Sequence, residues 1–211
     1  TPLQSIIGSA ELLETGLAKP EDQPRFLSRI HQEAERLVSL INDILRLSQL
    51  DEGGQLPMEP VELQSLAQET AQSLADLAAA RNVTVSVTGT AAPMTGVRRL
   101  LAEIVRNLCE NGVKYNVPGG SVTVETRETD RDVTLPIRDS GIGIPAAEQG
   151  RVFERFYRVD KSHSRAIDGT GLGLSIVKHA VAYHHGTIHL ESQMGKGTVI
   201  TVTLPRTPPE S

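Results

Sequence analysis

Apolar residues at Leu3, Ile6, Ala10, Leu13 and Leu17 recur at alternating spacings of three and four, and Leu27, Ile30, Ala34, Leu37, Ile41 and Ile44 repeat that pattern over a longer stretch. This is the a/d seam of a coiled coil. Residues 18–24 interrupt it with Pro20 and Pro24, which break a helix. The two segments therefore predict an antiparallel helical hairpin. Further apolar residues, Ile7, Leu12, Val38, Leu40, Leu45 and Leu47, lie off the seam. Two helices cannot cover so wide an apolar surface, whereas a second copy completing a four-helix bundle would. The pattern fades over 50–57, where Gly53, Gly54 and Pro57 mark a hinge. The expected division is a hairpin over 1–52, a hinge over 53–57, a second domain over 58–205 and a loose tail over 206–211.

Beyond the hinge the periodicity mixes. Residues 63–81 and 98–114 read as helices, and 83–87 alternates like a half-buried strand. Residues 121–126 and 132–137 read as a hairpin in which Pro136 demands an edge or an irregularity. A helix over 172–184 follows a glycine-rich stretch, and 187–191 pairs with 198–204 around Gly195 and Gly197. Helices and mostly antiparallel strands without a βαβ rhythm predict an α+β sandwich.

Composition narrows the function. A net charge of −5 leaves no broad basic face for nucleic acid. The single cysteine, Cys109, cannot close an internal disulfide and suits a reducing compartment. No apolar run approaches the roughly 20 residues that span a membrane. The chain opens without Met inside a helical pattern, so it reads as a fragment whose membrane attachment, if any, lies upstream.

The chemistry is concentrated in four blocks. Asn107, Asn111, Lys114 and Tyr115 share one helix, with the two asparagines one turn apart. Their carboxamide oxygens are hard ligands suited to Mg²⁺ shared with phosphates, and Lys114 adds positive charge beside them. Asp139 precedes Gly141 and Gly143, where backbone can approach a base closely. Phe153, Phe156 and Tyr157 sit in the structure-poor stretch 146–168, long enough to be functional. Arg158 and Lys161 in that stretch can reach phosphates. Gly169, Thr170, Gly171, Leu172 and Gly173 open a helix, whose N-terminal amides favour an anion. No G-K-[ST] follows, so this is not a Walker loop.

In this order the four blocks resemble the N, G1, F and G2 boxes of sensor histidine kinases of two-component systems. Gly195-Lys196-Gly197-Thr198 resembles a third glycine box, and it is equally a hairpin turn. The resemblance implies an N-terminal helical hairpin, half of a dimeric four-helix bundle, followed by an α/β sandwich of the histidine kinase/gyrase/Hsp90 ATPase type. It implies ATP and Mg²⁺ as ligands, with Asn111 on the metal, Tyr115 near the nucleoside, Asp139 on adenine and 146–168 as the ATP lid. It also implies transfer of the ATP γ-phosphoryl to a histidine and then to an aspartate of a response-regulator receiver domain.

Related ATPases on this fold carry a glutamate one turn before the metal-binding asparagine, as general base for water. Here Asn107 stands in that place, and Glu103 lies a further turn back. This favours phosphoryl transfer over hydrolysis. Thr1-Pro2-Leu3 resembles the end of the H box. Its phosphoacceptor histidine would lie four residues before Thr1, outside this sequence, so the chain itself is expected to bind Mg·ATP without being labelled there. None of the six histidines has the right context to replace it. The resemblance gives Thr1 a part in dephosphorylating the partner regulator. The expected setting is the cytoplasmic portion of a membrane-anchored bacterial sensor. Rival readings are an ATP-dependent regulatory module without catalysis and an anti-sigma type serine/threonine kinase, the latter disfavoured by the heptad hairpin.

Overall fold

The structure, a computed structural model, describes residues 2–51, 56–159 and 169–207. The element order is α1 (Pro2–Glu14), α2 (Gln23–Asp51), β1 (Glu59–Glu62), α3 (Leu63–Gln72), α4 (Ala75–Ala80), β2 (Thr84–Gly89), β3 (Pro93–Gly96), α5 (Arg98–Lys114), β4 (Ser121–Glu128), β5 (Asp132–Asp139), α6 (Gly173–Tyr183), β6 (Thr187–Gln193) and β7 (Gly197–Pro205). The seam residues form the hairpin α1–α2. Pro24 does not break it: it lies in the first turn of α2, where a missing N–H costs nothing. Arg29 Nε reaches across to Ser5 Oγ at 2.8 Å. The hairpin leaves Ile7, Leu27, Val38, Ile41, Ile44 and Leu45 exposed.

The second half is a two-layer sandwich. Its sheet has the order β2-β4-β5-β7-β6, parallel between β2 and β4 and antiparallel elsewhere. Alternation sends Val122 and Val124, Val133, Leu135 and Ile137, and Ile200, Val202 and Leu204 inward. There they meet α5 and α6 in one apolar core that also takes in Leu63 and Leu66 of α3. The expected strands and the helix 98–114 are present. The expected helix 63–81 is two, because the chain turns at Ser73 and Leu74.

Pro136 is not on an edge. β5 is the central strand, and the irregularity falls in its ladder with β4, where bonded pairs stop at Val124↔Ile137 and resume at Arg127↔Thr134. Pro136 has no N–H to give there. The short sheet β1-β3 has no counterpart in the sequence reading. Glu62 anchors it by capping α3: its carboxylate accepts N–H bonds from Gln64 and Ser65 and a third, at 2.8 Å, from Ala92. Arg206, expected in the loose tail, is fastened by backbone bonds to Arg131 and Thr95, so any loose segment starts beyond it.

His184 locks α6 to the start of α5. It is fully buried, its Nδ1 donates to Ala180 O at 2.8 Å and its Nε2 accepts the Val97 N–H at 2.9 Å. Only the neutral ring makes both bonds, since a protonated Nε2 would face another donor. Burial pushes the imidazole below its ordinary value of 6.5, with the charge of His185 adding to it and the Ala180 bond opposing it. The unfolded chain therefore takes up this proton first as pH falls. The stability from this site is full above about pH 6.5 and drains away through the lower folded value. Urea midpoints measured from pH 7.5 to 5.5 are expected to fall. In His184→Ala stability drops by about 1–3 kcal/mol at pH 7.5, because the Val97 N–H is orphaned, and the fall with pH becomes shallower. An equal slope in the variant would assign the pH dependence elsewhere.

Candidate functional site

One face of α5 organises the site. Asn107, Asn111 and Lys114 lie half-buried along it and Tyr115 ends it. Asn107 Nδ2 donates to Glu103 O at 2.9 Å and lies 3.4 Å from Glu103 Oε2, so Glu103 reaches one turn forward. On the other side, a Cβ on Gly173 would come within 2.7 Å of Asn107 Oδ1. The glycine is what lets the N-terminus of α6 close on α5 at this asparagine. The Asn111 carboxamide makes no side-chain hydrogen bond among the described residues. Lys114 Nζ is 2.9 Å from Glu110 Oε2, so its charge is partly balanced within the helix.

The loop after β5 closes on the other end of α5. Tyr115 O accepts the Ile142 N–H at 3.1 Å. A Cβ on Gly141 would lie 2.4 Å from that same carbonyl. Gly112 makes a second close approach, with Val122 and Asp139 against its missing side chain. Gly143, at φ +73°, packs on the carbonyl of Gln193. Gly195 and Gly197 divide the roles of the third box. Gly195, at φ +73°, turns in open space, and its N–H donates to Ile142 O. Gly197 presses on the Asp139 carbonyl.

Asp139 sits at the centre. Its Oδ1 accepts two backbone N–H bonds, from Gly141 at 2.8 Å and Thr198 at 3.2 Å. Its Oδ2 takes no hydrogen bond among the described residues. Burial raises its carboxyl above the ordinary value of 3.8, and the two N–H groups oppose that shift. A half-buried carboxylate with one oxygen fixed and the other spare can accept from an amine, and the neighbouring glycines let backbone pack closely around it. Cys109, by contrast, is chemically silent: burial, helped by the charge of Glu110, pushes its thiol up to about 12.

The last glycine block packs on the aromatic block. Phe156, at φ +64°, donates its N–H to Gly171 O at 2.9 Å. Arg158 does not point its charge freely: Nη1 donates to Gly169 O at 2.9 Å. Leu172 contributes no side chain to the site, being fully buried against Ile176 and Leu40. Thr170 Oγ1 donates to Asp43 Oδ2 of α2 at 2.7 Å. Thr1, Lys161 and His163 lie outside the described residues. His31, His179 and His189 are engaged by Glu35, Arg155 and Glu191.

The family described as "Histidine kinase-, DNA gyrase B-, and HSP90-like ATPase" matches residues 96–208, and "His Kinase A (phospho-acceptor) domain" matches 1–53. The sensor-like histidine kinase SenX3 of Mycolicibacterium smegmatis is 38% identical over 217 residues. The solved structure of the mycobacterial sensor histidine kinase MprB is 31% identical with a TM-score of 0.63, covering 72% of this chain and 99% of that one. This chain belongs to the sensor histidine kinases. Full-length ShkA in complex with AMPPNP is 25% identical with a TM-score of 0.75, covering all of this chain and 44% of ShkA. The SenX3 match takes in 100% of this chain and 56% of SenX3, so the chain spans about half of that kinase. Among the described residues no helix is long and apolar enough to cross a membrane.

Membership of this family gives the site's geometry its context. Two contributors, Gly112 and Asp43, escaped the sequence reading, and a third, Thr198, was named there only as part of the glycine block. Gly112 was hidden because a glycine inside a helix reads as a tolerated defect. Thr198 acts on Asp139 through a backbone N–H, which no side-chain pattern announces. Asp43 lies 127 residues from its partner Thr170 on an exposed-looking helix, and only the fold brings the two together.

Proposed function

We propose that this chain is the ATP-dependent kinase core of a histidine protein kinase. It would bind Mg·ATP between α5, the loop after β5 and the N-terminus of α6, and move the γ-phosphoryl to a histidine of the H box. The phosphoryl then passes to an aspartate of a response-regulator receiver domain, and Thr1 assists the reverse dephosphorylation. The observation that carries this is Asp139, whose Oδ1 is held by two N–H groups while Oδ2 remains for the exocyclic amine of adenine. The binding of AMPPNP by ShkA supports it.

In this reading Asn111 holds the divalent cation, and Asn107 and Lys114 face the phosphates. Tyr115 flanks the nucleoside, Gly141 and Gly143 give the base close access, and Gly169–Gly173 present amides to the phosphates, with Arg158 and Lys161 nearby. A bound Mg²⁺ would offset phosphate charge during transfer. The residue at 107 is an amide and cannot take a proton from water, which favours transfer over hydrolysis. Residues 1–52 would serve as the phosphotransfer and dimerisation hairpin, 53–57 as hinge and 58–205 as catalytic domain. The exposed apolar face, with Val38 59% and Ile41 56% accessible, is the surface a second copy would cover. The setting is the cytoplasmic portion of a membrane-anchored bacterial sensor.

The test is a chain carrying roughly one more helical turn upstream, incubated with Mg²⁺ and γ-labelled ATP. An acid-labile, base-stable label on protein is expected. ATP binding without label would favour a regulatory module, and phosphate release without label would favour an ATPase.

A further inference from the structure

Asn116 follows Tyr115 at the end of α5, and its carboxamide is used completely. Nδ2 donates to Gly112 O at 2.8 Å, one turn back along α5, and to Ser121 O at 3.0 Å, at the start of β4. Oδ1 accepts the Val117 N–H at 3.0 Å and the Ser140 hydroxyl at 3.2 Å. A carboxamide offers two N–H donors and two acceptor sites, and all four are taken. Ser140 is tied in as well: its Oγ accepts the Ser121 N–H at 2.9 Å, and its own N–H donates to Ser121 O at 3.1 Å. Gly120 makes the arrangement possible, because a Cβ there would stand 2.1 Å from Asn116 Oδ1 and 2.7 Å from Ser140 Oγ.

We propose that Asn116 is a positioning residue for recognition of the adenine amine: through Ser140 it sets the end of α5 against Asp139. The proposal rests on the nucleotide site described above. Tyr115 and Asp139 come from different elements, and each is one residue from this link, since Asn116 follows Tyr115 and Ser140 follows Asp139. The Ile142 N–H bond to Tyr115 O is a second tie between the same segments. One tie fixes a distance and leaves a pivot, whereas two at different points fix orientation as well. A hydrogen bond from an amine to a carboxylate is directional, so a shift of Asp139 relative to the end of α5 weakens it. Asn107 and Asn111 lie further back on α5, before the Gly112 carbonyl that Asn116 holds, so contacts to phosphates there do not depend on the link. Asn116 thus acts on the base end of the site and not on the phosphate end.

The full 211-residue chain is compared with Asn116→Ala, Ser140→Ala and the double variant. The probes are Mg·ATP and the Mg²⁺ complex of purine riboside triphosphate, which lacks the 6-amine, and melting without nucleotide gives the folded fraction. In each single variant ATP affinity is expected to fall about tenfold, part of what a charge-assisted hydrogen bond contributes, while that of the analogue stays within about twofold. The double variant is expected to bind ATP within about twofold of the weaker single variant, because residues that act through one link do not add. A lower folded fraction would weaken both probes alike, so equal losses for the two probes make Asn116 a structural residue and overturn the proposal. Unchanged ATP affinity in Asn116→Ala, or losses that add in the double variant, overturn it too. If the wild type binds neither probe, the nucleotide reading itself falls and takes the proposal with it.

Discussion

Asp139→Asn is expected to abolish useful nucleotide binding while leaving the protein folded, and at neutral pH somewhat more stable. The amide keeps the shape, and its oxygen can still accept from Gly141 and Thr198 at the Oδ1 position. Its nitrogen, however, replaces the spare Oδ2 and presents a donor where the proposed adenine amine also donates. Losing a charge-assisted hydrogen bond costs about 1.5–3 kcal/mol, and facing two donors adds desolvation, so affinity for ATP should drop about 100-fold. Stability moves the other way. Burial raises the Asp139 carboxyl above its ordinary value of 3.8, so the folded state holds that proton more tightly than the unfolded chain. Its contribution to stability is present below the unfolded value and is lost as pH rises through the folded one. At pH 7 the ionised group is a burden that asparagine removes. Calorimetric titration with ATP and urea unfolding at pH 7 and near pH 4 check both halves. Wild-type affinity in Asp139→Asn would end the adenine assignment.

That opposition explains why the centre of the site could be read from sequence while its frame could not. Asp139 followed by two glycines is costly chemistry, a charge kept beside backbone without side-chain cover, and such costs stand out against a bland background. The two asparagines on α5 stand out for the same reason. The α/β sandwich was legible because strand alternation and helix periodicity agree with it at nearly every position from Arg98 to Lys114 and from Thr187 to Pro205. β1 and β3 were not legible: each has four residues, too few for a period to show. Their pairing depends on Glu62 binding an N–H thirty residues away. Leu40 misled differently. Its off-seam position counts toward a partner helix, yet α6 covers it, because periodicity reports that a face is buried and never against what. Pro136 was read as an edge or an irregularity, and the second of these is what β5 shows. A central strand tolerates it where the neighbouring ladder gives up two pairs and Gly89 lets β2 crowd against Thr126.

Gly197→Ala should be strongly damaging to both stability and nucleotide binding. A Cβ there would stand 2.0 Å from the Asp139 carbonyl oxygen and 2.8 Å from its carbon, at φ +95°. The obstacle is backbone of the central strand, which cannot rotate aside as a side chain can. The register that pairs Asp139 with Thr198 must open instead. Holding a non-glycine residue at such a φ costs about 1–3 kcal/mol, and forced displacement in a packed region adds about 1–3 more. A loss near 3 kcal/mol or above corresponds to roughly 6–12 °C in melting temperature for a domain of this size. Function should fall with it, because prising β7 from β5 withdraws the Thr198 N–H from Asp139 Oδ1 and lets the carboxylate swing. Gly195→Ala is the control. It shares the turn and a φ of +73° but meets nothing within 4 Å, so only the backbone term of about 1–2 kcal/mol remains and nucleotide affinity should survive. If the two variants melt together and bind alike, the close approach at Gly197 does not position Asp139. The third glycine block would then be a hairpin turn and nothing more.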